Sequence, residues 1–294
     1  MSDIAWTFSS GANSAWIVDA LDYAKKKSKL IKLISVGFTF EKLGQFMGGL
    51  IGLIIVAINF RFIWLVISLS YLVLFFISLK YMEERNFKPE KAPNNYVKKS
   101  LIKAKESFIF LLHKHNRDLR ILMWTEFLVV FGFAGFFIGM PLLFTQIFGL
   151  GPEHISGISA LVGAMVIITP LLANKIAHKS KFGKSLFLFC LFLGVFLFAF
   201  AFSNSLMVAI FSFALVKIAL SIFDVITDSA RAHMSDSKIR ASLGSISSIM
   251  WSIASSAGIF LAGISINFIG IINTLLISGG IMLLTAFVYL GMKE

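Results

Sequence analysis

The chain has 294 residues, yet only one cysteine, five histidines and 14% charged residues. A lone Cys190 cannot close an intramolecular disulfide, and inside an apolar run it reads as a small core residue. The sequence has no His/Cys cluster at metal-ligand spacing, no Gly-rich lysine loop for nucleotide phosphates and no nucleophile elbow. An enzyme or an ATP-driven pump therefore has no supporting motif, and no metal or cofactor is expected. Soluble domains carry about a quarter charged residues, so the scarcity of charge excludes an ordinary soluble protein.

What fills the chain instead is hydrocarbon: 57% hydrophobic residues, 32 of them Phe. Nine apolar spans can be read, at 4–21, 33–60, 62–79, 121–148, 155–177, 186–202, 206–227, 243–268 and 271–290. Most approach the roughly 20 residues that a helix needs to cross a bilayer. Strands of a membrane barrel are half that length and alternate with polar residues. The expectation is an all-α integral membrane protein with nine transmembrane helices.

A net charge of +12 would suggest nucleic acid in a soluble protein. Here the basic residues segregate. Of 27, five lie in 25–32, eleven in 80–120, four in 175–184, three in 231–240 and one at Lys293, all on alternate connections. The intervening connections hold Arg61 alone, and Lys42 and Lys217 fall inside apolar spans. This asymmetry places the basic connections and the C-terminus in the cytoplasm and the N-terminus outside. The bilayer of the cell (plasma) membrane, not nucleic acid, is the expected partner.

The longest polar stretch, 83–95, carries Pro89, Pro93 and Asn94-Asn95 and reads as an interdomain linker. Beyond it Val97, Leu101, Ala104, Phe108, Leu111 and Leu112 recur at helical spacing between lysines, as in a helix lying on the membrane face. Sliding the chain by 209 positions lays Ala5 on Ala214, Ile17 on Ile226, Asp19 on Asp228 and Gly49 on Gly258. Parallel repeats of this kind build two-halved transporters. The expected organisation is an incomplete first half over 1–80, a linker with its amphipathic helix over 81–118 and a six-helix half over 119–294. One and a half six-helix repeats imply that three helices, about ninety residues, precede Met1.

Ser10-Gly11-Ala12, Ala15-Trp16 and Asp19 before a basic loop resemble the fourth helix of the major facilitator superfamily, in its drug-efflux and tetracycline-resistance-like branch. The stretch from Ile239-Arg240-Ala241-Ser242 through Ser256-Ala257-Gly258 to Leu261-Ala262-Gly263 is similar to that family's entry into helix eleven. Gly44-Gln45-Phe46-Met47-Gly48-Gly49 is similar to its exporter motif, with Gln45 in place of proline; close helix packing is the competing reading of these glycines. Lys181, Gly183 and Lys184 match its loop between helices eight and nine, where Ile176 and Ser180 replace a glycine and an acid. The resemblance implies that the chain runs from helix four to helix twelve, lacking helices one to three, and that helices four, seven and ten wall a central cavity.

Lys217 is the sharpest pointer to that cavity. A cation at the bilayer centre costs about 2.5–3.5 kcal/mol on insertion scales, so it should face protein or water and have a partner. Lys217, Ser221, Asp224 and Asp228 follow one helical stripe, but Lys217 and Asp224 are separated by about 10.5 Å of rise, which directs the partner search to other helices, Glu126 included. Ser9, Asn13 and Trp16 share another face, fit either for an amphipathic solute or for helix–helix contact. Glu41 and Lys42 point about 100° apart, so only one of them can enter the interface between halves, where Gln45 also lies; a structural ion pair is the equal alternative. The expected solute or ion pathway is thus Asn13, Trp16, Glu41, Lys42, Gln45, Glu126, Lys217, Ser221 and Asp224. Asp19, Lys181, Lys184, Asp228 and Arg231 are the expected cytoplasmic latch. Occluded acids and amines are groups whose proton occupancy can change near neutral pH.

The function expected is secondary transport of a small organic solute by alternating access, coupled to protons and directed outward. Uptake of an organic anion or sugar-like solute, with Lys217 holding the substrate, is the first alternative. A non-transporting remnant or interaction partner is the second. The charge asymmetry makes one direct prediction: cysteines placed at Ser2 and Asn59, in a Cys190→Ser background, should react with an impermeant thiol reagent on intact cells. Reaction only after permeabilisation would invert the topology.

Overall fold

The computed structural model describes residues 29–59, 61–81, 116–177, 181–235 and 240–293, with a few positions between 21 and 26 and at 102, 105 and 109. Every element among them is helical. The first two are α1 (Leu30–Ile58) and α2 (Phe62–Tyr81), and α3 (Arg117–Leu142) prolongs into a wider π-helical turn over Leu143–Ile147. Next come α4 (Pro152–Val166), α5 (Thr169–Ala177), α6 (Phe182–Ala201), α7 (Leu206–Met234) and α8 (Arg240–Tyr289). The expected amphipathic helix at 97–112 lies outside the described residues but for three positions, and so does the first expected span, 4–21.

Seven helices among the described residues are long and apolar enough to cross a bilayer, which corrects the expected nine. The two final spans are joined without a loop, as one helical run of 50 residues interrupted only at Gly270 (φ 83°, ψ 169°). A conformation with φ in this range is open to glycine and strained for other residues. The carbonyls that the break releases are met locally. Asn273 Nδ2 donates to the Ile269 carbonyl at 2.8 Å, and Thr274 Oγ1 to that of Gly270 at 2.9 Å. Without such a donor a bared carbonyl would face hydrocarbon unpaired.

The other helix ends follow from sequence. Pro152 opens α4 directly after Gly151, where its missing N–H costs nothing. Ser205 caps α7 by accepting from the Val208 N–H, and Arg231 and His233 occupy the last turn, where cations meet the carbonyl end of the dipole. Pro141 removes a donor inside α3, and the following turn widens: Phe148 N bonds to the Leu143 carbonyl at 3.3 Å.

The core sits among α3, α6, α7 and the 271–289 limb of α8. Phe136, Phe144, Phe200 and Phe213 are all buried and meet mainly edge-to-face, with centroids 5.4–6.5 Å apart. Lipid offers these rings no hydrophobic incentive to leave it, so close packing has to do the holding. Glycine allows it: a Cβ at Gly258 would lie 2.6 Å from the Phe131 carbonyl oxygen, and one at Gly194 2.6 Å from Leu283 Cδ2. By contrast α2 buries nothing; it is apolar all round, and Ser68 and Ser70 return their hydroxyls to carbonyls one turn back. Helix α1 packs on α4, α5 and α7, which sets its polar residues beside the stripe of α7.

Gly270→Ala should lower stability by about 1–3 kcal/mol, the usual cost of a strained backbone position. Gly263→Ala, where an added Cβ meets nothing within 4 Å, is the matched control. Melting of the detergent-solubilised protein reads both, and equal melting points would show that Gly270 is not a strain site.

Candidate functional site

Two polar clusters lie along α7, and they do different things. The upper one is a small cavity of about 30 Å³ lined by Lys42 and Gln45 of α1, Gly163 and Val166 of α4, and Lys217, Leu220 and Ser221 of α7. That volume holds about one or two waters, so a solute could enter only if the helices part. Lys217, expected to have a carboxylate partner on another helix, makes no hydrogen bond or ion pair among the described residues; its electrostatic neighbours are Lys42, Asp224 and Glu41. Two lysines of different helices therefore line one small pocket.

The α1 side of this cavity is held by a single carboxylate. Glu41 Oε1 accepts from Lys42 Nζ at 3.3 Å and from Gln45 Nε2 at 2.8 Å. As their 100° separation requires, Lys42 turns inward, with 14% of its side chain exposed, while Glu41 remains 50% exposed. On the opposite side, Thr169 Oγ1 donates its one proton to the Val166 carbonyl at 2.8 Å and accepts from Ser221 Oγ at 2.8 Å. Thr169 was missed in the sequence. Its signal is the Thr169-Pro170 pair inside an apolar span: proline lacks the N–H of a continuous helix, and the chain breaks there into α4 and α5.

The lower cluster gathers around Arg231. Its guanidinium bonds Glu126 of α3 through one nitrogen and Asp228 through the other at 3.0 Å, while Ser247 Oγ of α8 donates to Glu126 Oε2 at 3.4 Å. Glu126, considered as a partner for Lys217, is thus bound by Arg231 and lies apart from the cavity. Asp224 sits between the clusters on α7 and is an electrostatic neighbour of Lys42, Asp228, Glu41 and Lys217. Asp228 and Arg231 are joined as i, i+3 neighbours, and Lys181 and Lys184 open α6, whose Phe182 ring lies 5.9 Å from that of His233. Asn13, Trp16 and Asp19 lie outside the described residues. No group of acids, histidines and cysteine suited to a metal occurs among the described residues.

Lysines of two different helices thus line one small pocket inside a helical bundle, and a sequence profile shows which family the bundle represents. Residues 7–216 match that of the Major Facilitator Superfamily. The chain belongs to this superfamily. Its members are carriers and not enzymes. The fold is similar to that of the human organic anion transporter MFSD10 (TETRAN), at a TM-score of 0.73 and 17% identity, over 95% of this chain and 67% of that one. It is also similar to the proton:xylose symporter XylE bound to 6-bromo-6-deoxy-D-glucose, at 0.62 and 15%, over 88% of this chain and 63% of that one. The chain thus spans about two thirds of the length of either. None of the curated proteins matches it.

A largely buried ion pair is costly to break because removing one partner leaves the other charge stranded. Glu126→Gln or Arg231→Met alone should each destabilise the protein by roughly 3–5 kcal/mol, and the double variant should recover most of the loss. Melting of the four proteins in detergent forms the cycle. Additive losses would mean that the pair does not act as a unit.

Proposed function

We propose that the protein is a secondary carrier of a small organic anion, working by alternating access in the plasma membrane with its N-terminus outside. One observation carries the reading: Lys42 and Lys217 line the same cavity. An ammonium inside a membrane bundle needs a compensating negative charge, and Lys217 has no hydrogen-bonded or ion-paired carboxylate among the described residues. A bound anion is that compensation. The likeness to a transporter of organic anions supports the same choice. Tilting α4 away from α1 and α7 enlarges the cavity from water-sized to solute-sized, and an occupied site holds the walls together until the other side opens.

Proton-coupled export by the drug-efflux branch is the second reading, favoured by the glycine-rich run Gly44-Gln45-Phe46-Met47-Gly48-Gly49 on α1. The two readings part on charge and on coupling. In membrane vesicles containing the protein, counterflow of labelled benzoate should exceed that of xylose and survive a protonophore. Lys217→Met should reduce benzoate counterflow by about tenfold or more, the effect of one lost charge-assisted contact, while Lys217→Arg retains a measurable part. Counterflow of neutral sugars alone, or full benzoate activity in Lys217→Met, would overturn the anion reading. Loss of counterflow with the protonophore would favour the second.

A further inference from the structure

Glu41 has no place in an anion site by its charge, yet it is bonded to both polar groups that α1 contributes to the cavity. One oxygen accepts from Lys42 Nζ at 3.3 Å and from Gln45 Nε2 at 2.8 Å, and Glu41 itself is not among the lining residues. Lys42 therefore enters the cavity with its counter-charge attached. Lys217 does not: it reaches the cavity from α7 without a hydrogen bond or ion pair among the described residues. The remaining lining groups, Gln45, Gly163, Val166, Leu220 and Ser221, carry no charge. Asp224, the nearest acid on α7, lies about 10.5 Å further along the helix axis and is not part of the lining.

We infer that Glu41 is a specificity-determining residue that fixes the valence of the substrate, so that the site takes a monoanion in preference to a dianion. This rests on the anion reading above and adds to it a charge rule. With Lys42 paired to Glu41, the ammonium of Lys217, which has Asp224 and Glu41 as electrostatic neighbours but no bonded carboxylate among the described residues, is the one left to face the solute, and a single carboxylate completes it. A second carboxylate would compete with Glu41 for Lys42 and meet Glu41's own negative charge at close range, where like charges repel. Lys42 keeps two further N–H donors and Gln45 one, since each spends a single proton on Glu41. The pair thus still contributes hydrogen bonds to a monoanion, without contributing net charge.

The test compares two acids of similar size. Dissociation constants for benzoate, a monoanion, and phthalate, a dianion at neutral pH, are measured by equilibrium dialysis on the detergent-solubilised protein. Wild type should prefer benzoate. Glu41→Gln keeps an oxygen that can accept from Lys42 but removes the charge, and should shift the benzoate-to-phthalate ratio toward phthalate by about two- to fivefold, the range of a partly exposed charge contact. Glu41→Asp should hold the wild-type ratio, and Lys42→Met combined with Glu41→Gln should abolish the shift. Glu41→Ser reads the same ratio if Glu41→Gln does not fold. An unchanged ratio in charge-removing variants that still bind both acids would overturn the role of Glu41 and leave the anion site standing. Binding of neither acid to any variant would overturn the anion reading, and the valence rule with it.

Discussion

Charge inside hydrocarbon survives only where something balances it, and the contacts of α1, α3 and α7 answer to that constraint. The two clusters meet it differently. Around Arg231 the balance is internal: two carboxylates on two helices close on one guanidinium, and a hydroxyl from a third helix donates to one of them, Glu126. Its planar fork suits two simultaneous partners, which a lysine could not engage with the same geometry. That cluster ties α3, α7 and α8 together. At the cavity the balance is partial: Lys42 is paired with Glu41, while Lys217 has Asp224 and Glu41 only as electrostatic neighbours, and the proposed anion site rests on that difference.

The polar clusters lie against a core that gains nothing from the hydrophobic effect. Aromatic edges among Phe136, Phe144, Phe200 and Phe213, and glycines that admit neighbouring backbones at Gly258 and Gly194, supply contact where lipid would otherwise compete. The asymmetry of burial follows. The helices from α3 onward hold the buried core, whereas α2 presents its apolar surface outward on every side.

Helix positions were legible because apolar length is a strong signal. The spans at 33–60, 62–79, 121–148, 186–202 and 206–227 each fall on a helix. The count was not, because periodicity is silent about how two apolar runs are joined. One of the two spans by which the count differs is lost at a join of a single glycine whose positive φ is invisible to hydropathy, and the other, 4–21, lies outside the described residues. In the site, Lys42, Gln45, Lys217 and Ser221 could be marked as polar residues in apolar surroundings, and the structure brings these four to one cavity. Glu126 was one candidate partner for Lys217, and its bond to Arg231 was not legible for a definite reason. The apolar run of α7 stops at 227, but the helix continues to Met234, carrying Arg231 back toward α3 instead of into a loop. Helices end where capping and hydrogen bonding end, and not where hydropathy does. Thr169 escaped for the opposite reason: its hydroxyl is unremarkable until the break beside Pro170 turns it toward Ser221.

That break also governs how the cavity wall yields. Lys217, Leu220 and Ser221 stand on the uninterrupted ladder of α7, which resists bending over its 29 residues. Gly163 and Val166 stand at the end of a helix whose successor begins only at Thr169, and between them the i, i+4 ladder is replaced by turns such as Leu171 N to the Ile168 carbonyl at 3.1 Å. Mechanical compliance is therefore concentrated on one wall: α4 can tilt without stretching a continuous ladder, while the Thr169–Ser221 hydrogen bond keeps α5 in step with α7. In a site built in this way the wall free to yield is the uncharged one, and the helices that carry the two lysines keep their unbroken ladders.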